Sequence, residues 1–224
     1  MKASTRIVGV VSESEVWLSL QGAELPCDWV ELRVDALAPE ERLLALRKPC
    51  PKPLLLTPRH ESEGGRCRWD AAERLRWARE LLPAAAALDW EIAQFEGAQE
   101  LLAEAKKQGV IIIGSAHYFE GMPSLEEMLQ LEQKAKDGGA DIVKIAFTPA
   151  NEEEMMRGVK FLQRPRVGIR AAIMGMGPLA LASRSLYTQH GSALLYGYLG
   201  ATPTAPGQLS ARQCRSLLTG LSQA

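Results

Sequence analysis

Short runs of β-branched and aliphatic residues recur along this chain at intervals of about 23–33 residues, and that rhythm constrains the fold more than any other feature. The runs are Arg6–Ser12, Trp29–Asp35, Pro53–Arg59, Ala87–Ile92, Val110–His117, Asp141–Phe147, Val167–Ile173 and Ser192–Tyr198. Gly, Pro or charged residues bound each of them, as they bound strands. Between them, Asp70–Leu82 and Ala98–Gln108 repeat apolar residues at helical spacing. Ser124 followed by Glu127 forms a capping box for a helix that ends at Gly138-Gly139. Asn151 ahead of Glu152–Glu154 caps another, and Ser210 begins a last one that runs to about Leu221. The connections are too long for hairpins, so the strands should be parallel. Eight such units in 224 residues fit the compact end of a single (β/α)₈ TIM barrel spanning 1–224. A doubly wound open sheet is the competitor. No run reads as an exposed polar edge, which favours the closed barrel.

Composition removes several classes of function. The 46% hydrophobic and 24% charged content is that of a globular chain, and no apolar run is long enough to span a bilayer. There is no signal-peptide pattern, and the four cysteines are scattered without a Cys-x-x-Cys pair, so a reducing cytoplasmic setting is expected. Neither the cysteines nor the three histidines show metal-ligand spacing. A net charge of −1 argues against nucleic acid as a partner. The charge is unevenly spread: residues 155–224 hold no Asp or Glu but eight Lys and Arg, against 18 basic and 27 acidic residues before them. That asymmetry either mixes away on folding or helps bind an anionic small molecule.

The polar residues inside the strand runs are the main functional signal. Strand positions two apart share a face, so Glu31, Arg33 and Asp35 point one way and Val30, Leu32 and Val34 the other. Thr57 with Arg59, Asp89 with Glu91, and Ser115 with His117 repeat the pattern, as does Lys144 between Ile142 and Ala146. In a barrel the apolar face packs on the helices and these groups enter the lumen. Burying so many charges costs several kcal/mol each unless they are paired or bind a ligand. A purely structural account is a salt-bridge network of Glu31, Arg33 and Asp35 with Arg59. The functional account is an active site at the C-terminal strand ends.

Lys144 is the sharpest residue. A lysine inside Asp141–Phe147 is expected to be desolvated, which lowers its pKa and frees the amine as a nucleophile toward ketones. His117, ending the preceding strand, would sit beside it with an imidazole suited to proton transfer. His60 and His190 have no such setting. Gly175–Ala180 imitates a dinucleotide fingerprint but lacks any later acid for a ribose. Glu63-Gly64-Gly65 suits a mobile catalytic loop just after the Arg59 strand.

Taken in order, Glu31-Leu-Arg-Val-Asp35, Thr57-Pro-Arg59 with Glu63-Gly-Gly65, Ser115-Ala-His117, Asp141-Ile-Val-Lys144, Ser183-Arg184, Gly191-Ser-Ala193 and Ala205-Pro-Gly-Gln208 resemble the type I 3-dehydroquinate dehydratases. These are the Schiff-base dehydroquinases of the shikimate pathway. The resemblance implies a (β/α)₈ barrel, commonly a homodimer, that removes water from the small anionic substrate 3-dehydroquinate without metal or cofactor. It implies Lys144 as the Schiff-base lysine, His117 as general base and acid, and Glu63 as the group that orients the histidine. It further implies that Glu31, Arg33 and Arg59 hold ring hydroxyls, while Arg184, Thr204 and Gln208 clamp the carboxylate. Asp89 and Glu91 are expected in the polar floor, braced against the lysine or the histidine and outside direct substrate contact.

The chain departs from the family pattern at Thr204, where serine is usual, and at Ala180, where glycine is usual. The N-terminal hairpin that often closes the barrel bottom is expected to be reduced or missing. At the first strand either Val10 or Ser12 could face the substrate. The nearest alternative function is another lysine Schiff-base barrel, a keto-acid aldolase. A barrel that binds an anion without turnover is a second.

Overall fold

The computed structural model describes residues 5–20, 22–42, 48, 50–203 and 207–221. Among these residues, eight strands form one parallel sheet in the order β7-β6-β5-β4-β3-β2-β1-β8. They are β1 (Arg6–Val11), β2 (Trp29–Arg33), β3 (Leu54–Thr57), β4 (Ala87–Glu91), β5 (Ile111–Tyr118), β6 (Ile142–Phe147), β7 (Arg170–Gly175) and β8 (Leu194–Tyr198). Helices alternate with them: α1 (Ser14–Ser19), α2 (Ala71–Leu81), α3 (Gln99–Lys107), α4 (Leu125–Asp137), α5 (Glu152–Leu162), α6 (Ala180–Gln189) and α7 (Ala211–Leu221). The unit after β2 shows helical residues at 39–42 only, where the described segment ends.

The order makes a nearly closed barrel. Its seam lies between β7 and β8, where the Ala193 amide donates to the Ala171 carbonyl at 2.8 Å. The Ser192 hydroxyl accepts from the Ile173 amide at 3.1 Å and donates to the Ile173 carbonyl at 3.2 Å. A side chain thus stands in for the missing rungs of the ladder. Helix starts follow the capping chemistry read from the sequence. Asp70 accepts from the Glu73 amide at 2.7 Å, Asn151 from the Glu154 amide at 2.9 Å, and Ser124 and Glu127 form the full capping box.

The two strand faces build two cores. Outward residues such as Ile7, Leu32, Leu56, Leu88, Ile112, Val143 and Ile145 pack under the helices. Inward residues Val8, Trp29, Leu55, Ile113 and Ile142 fill the lower lumen, so the barrel has an apolar plug below a polar upper layer. The ladder register sets Glu91 beside Ser115 and Ser115 beside Lys144, so the polar groups come out in one row.

The strand expected from Val167 begins instead at Arg170. Gly168 turns the chain through φ +79° and Val167 is 83% exposed, so Val167 and Gly168 belong to a bend ahead of the strand. β2 also stops at Arg33, because Val34–Ala36 form a 3₁₀ turn that carries Asp35. The described chain enters β1 at once from Thr5; residues 1–4, on which the expectation about an N-terminal hairpin falls, lie outside the described residues.

Candidate active site

Lys144 projects from the middle of β6 into the lumen and is 4% exposed. It is not isolated among apolar neighbours, as its flanking residues suggested. Its Nζ donates to Asp89 Oδ2 at 2.8 Å and lies 4.5 Å from the ring centroid of Tyr196. β4 and β8 therefore supply an anion and an aromatic face that nothing within β6 reveals.

Asp89 and Glu91, both on β4, organise the cations around this lysine. Arg59 donates to Asp89 at 2.8 Å, to Glu91 at 2.8 Å and to the Ser115 hydroxyl at 2.7 Å. Ser115 in turn donates to Asp89 at 2.6 Å. The second oxygen of Glu91 takes the guanidinium of Arg74, which stacks 3.7 Å from the Trp90 ring centroid. Neighbouring Arg59 and Lys144 hold the Asp89 carboxyl well below the usual range, against the opposing effect of its burial. The Arg59 guanidinium is thus bound to Asp89 and Glu91, not to the side chains of the Glu31–Arg33–Asp35 set that a structural network would require. Within that set Arg33 pairs with Asp35 through two bonds of 2.9 and 2.8 Å, and Glu31 accepts from the Thr57 hydroxyl at 2.7 Å.

His117, at the end of β5, meets Glu63 from the loop after β3: Nδ1 and Oε2 are 2.8 Å apart. Burial, then the positive charge of Arg59 and Lys144, pulls the imidazole well below its ordinary value. Burial, then repulsion from Glu91, pushes the Glu63 carboxyl up to about 7. When Glu63 is ionised it accepts a hydrogen bond from Nδ1–H, which leaves Nε2 with a lone pair free to take a proton.

Arg184 arrives from α6 and is 3% exposed. One terminal nitrogen donates to the Tyr196 carbonyl at 3.0 Å, while Nε has no partner among the described residues. Among the described residues no carboxylate neutralises it, and burial lowers its pKa. A buried guanidinium in this condition has strong affinity for an anion.

These groups surround one cavity of about 690 Å³, solvent mouth included, at the C-terminal strand ends. Glu31, Arg33, Arg59, Glu63, His117, Lys144, Arg184 and Gln208 all line it. Val10, not Ser12, is the first-strand residue on its wall. Thr204 lies outside the described residues. Asp89 and Glu91 sit beneath the lining, as expected. Of the eight basic residues after 154, only Arg184 reaches the cavity; Arg166 and Arg215 pair instead with Glu132 and Asp28. Of the C-terminal charge excess, two residues thus pair with acids from the first 154 residues and one faces the cavity.

Three participants escaped sequence reasoning. Tyr196 reads as an ordinary core aromatic in an apolar strand. Arg74 reads as the solvent face of a helix, and only the tertiary fold turns it inward onto Glu91. Phe119, two residues after His117, lines the cavity mouth and is 53% exposed; its position just past the histidine was the one available signal. Among the described residues no group of three or more His, Cys, Asp or Glu is arranged to hold a metal ion, and no helix is long and apolar enough to cross a membrane.

The profile of the type I 3-dehydroquinase family matches residues 8–224. The 3-dehydroquinate dehydratase of Methanothrix thermoacetophila is 32% identical over 191 residues, covering 85% of this chain and 80% of the relative. That of Staphylococcus carnosus is 30% identical over 204 residues, covering 85% of this chain and 84% of the relative. The solved 3-dehydroquinate dehydratase of Enterococcus faecalis superposes with a TM-score of 0.82 at 27% identity, over 97% of this chain and 94% of that one. The type I enzyme of Clostridium difficile, at 24% identity and a TM-score of 0.86, shares the fold over 99% of this chain and 93% of its own. The family profile spans nearly the whole chain and the barrel superposes on these solved structures: the chain belongs to the type I 3-dehydroquinase family of hydro-lyases.

Proposed function

We propose that this protein dehydrates 3-dehydroquinate to 3-dehydroshikimate, the third step of the shikimate pathway, through a Schiff base on Lys144. The observation that carries the reading is the meeting of three groups in one cavity: the buried Lys144 amine, the His117–Glu63 dyad and the anion-seeking Arg184. A ketone acid needs each of them, and a plain binding pocket or a salt-bridge network needs none of them together.

Lys144 passes a proton to solvent or a neighbouring base and adds to the C3 carbonyl. Loss of water from the adduct leaves a protonated imine, whose charge lies over the Tyr196 face and near Asp89. The imine makes C2 acidic. His117, held neutral, takes the C2 proton at Nε2, and the electron pair moves into an enamine. The enamine expels the C1 hydroxyl, which leaves as water with the proton that His117 returns. Hydrolysis of the product imine restores the lysine. Arg184 receives the substrate carboxylate, with Thr204 and Gln208 completing the clamp, while Glu31, Arg33 and Arg59 hold the ring hydroxyls. We extend the reading to a one-domain cytoplasmic homodimer that needs neither metal nor cofactor, on the family resemblance.

The test is a dehydration assay. Incubation with 3-dehydroquinate should raise ultraviolet absorbance as the conjugated carboxylate forms. A purified, folded protein that produces no such absorbance overturns the reading.

A further inference from the structure

Asp35 lies just past β2, does not line the cavity, and is 3% exposed. Its two oxygens nevertheless accept four hydrogen bonds. Arg33 donates two, from Nε at 2.9 Å and from a terminal nitrogen at 2.8 Å. The backbone amides of Arg59 and Arg66 donate the others, at 3.3 and 3.0 Å. Those amides are the two ends of the loop that carries Glu63. The loop doubles back tightly between them: the Glu63 and Gly65 amides both bond to the His60 carbonyl, at 3.0 and 2.9 Å. A methyl group on Gly65 would stand 2.3 Å from the Arg59 carbonyl oxygen, so no larger residue fits that return. Arg33 closes the circuit from the outside by donating to the Gly64 carbonyl at 3.1 Å.

We propose that Asp35 is a positioning residue: a buried carboxylate that pins both ends of the Arg59–Arg66 loop and the Arg33 guanidinium, and so holds Glu63 against His117. Three observations make this more than local packing. One anion joins a cavity-lining arginine to a catalytic loop separated from it by about 30 residues. Glu63 has its 2.8 Å contact with His117 from the middle of the pinned segment. Lys144 is held directly by Asp89 on another strand, and Asp35 reaches that pair only through the backbone amide of Arg59. Proton transfer and imine formation therefore rest on different carboxylates, and Asp35 acts on the first through the loop that carries Glu63.

The inference rests on the proposed reaction, and the experiment separates the two. Asp35→Asn keeps the shape, but its amide group offers donors where Arg33 and the backbone amides also donate. In the full-length protein at saturating substrate, kcat should fall by about 10²-fold, the effect of a displacement near 1 Å in a reacting geometry. Borohydride should still trap the substrate on Lys144, and trypsin should cut faster after Arg66 and Arg68. Wild-type kcat in a folded D35N protein overturns the inference. So does loss of trapping in step with loss of turnover, which would mean general collapse of the site. If D35N does not fold, Gly65→Ala carries the test: it displaces the same loop from an intact Asp35. It should lose kcat and keep trapping, and unchanged kcat there also overturns the inference. An inactive wild-type protein would count against the reaction, whereas an active wild type with unaffected variants would count against Asp35 alone.

Discussion

Replacement of Asp89 by Asn probes the electrostatics that make a buried lysine tolerable. Asp89 is 1% exposed and bonds to Arg59, Ser115 and Lys144 at 2.8, 2.6 and 2.8 Å. The amide cannot neutralise the two cations, and its NH₂ group points a donor at one of them. Removing one member of a buried ion pair costs roughly 3–5 kcal/mol, because the partner stays buried without compensation. At about 2–4 °C per kcal/mol for a chain of this size, the melting temperature should fall by about 6–20 °C near neutral pH. Circular dichroism melts with matched urea titrations would measure it, an unchanged m-value showing that the same surface unfolds. The pH dependence sharpens the test. Asp89 has a depressed native pKa, so its stabilisation is fully present above the ordinary carboxylate range and is lost progressively as the pH falls below that range toward the depressed native value. The deficit of the variant should therefore shrink below about pH 4. A variant that melts within a degree or two of the wild type at neutral pH would refute the reasoning, since Asp89 would not then be what holds Lys144 and Arg59.

Other expectations are as direct. His117→Ala should still form the imine, seen by borohydride trapping, yet lose about 10²–10⁴-fold in kcat, and full turnover would remove the histidine from its role. Arg184→Met should raise KM by about 10- to 150-fold, the value of roughly 1.5–3 kcal/mol for a charged hydrogen bond, without lowering the melting temperature, because an apolar side chain replaces a buried, unneutralised cation. Glu63 has a native pKa of about 7, above its ordinary value, so its contribution favours folding at low pH and is lost as the pH rises through 7. Glu63→Gln should thus melt above the wild type near about pH 8 and lose that advantage near about pH 5, while turning over more slowly at both. Equal melting curves at the two pH values would contradict the assignment.

The barrel was legible because each strand pays its apolar residues to one face and its polar ones to the other, a pattern that survives with no knowledge of neighbours. Glu31, Arg33, Arg59, His117 and Lys144 were legible for the same reason, as charges at lumen-facing positions. Partnerships were legible only where the resemblance implies one, as for Glu63 with His117, or where a floor carboxylate is expected to brace the lysine. The strand pattern set Arg59 in the lumen but could not choose between Asp35 and Asp89, because the ladder register decides which strands' side chains meet. Lys144 looked desolvated from its own strand, and its carboxylate comes from β4, 55 residues away. Arg74 and Tyr196 stayed hidden because an arginine on a helix and a tyrosine in an apolar strand have ordinary uses that need no site. The early end of β2 follows from local turn geometry around Asp35, which strand periodicity does not describe.

The central claim is covalent chemistry at Lys144. Treating the protein with 3-dehydroquinate and sodium borohydride, then mapping the digested chain by mass spectrometry, tests it most directly, because reduction turns an imine into a stable secondary amine. The expected result is a single substrate-derived adduct on Lys144, absent without substrate and absent from a Lys144→Ala protein. An adduct on a different lysine, or none from a preparation that is dehydrating the substrate, would contradict the mechanism.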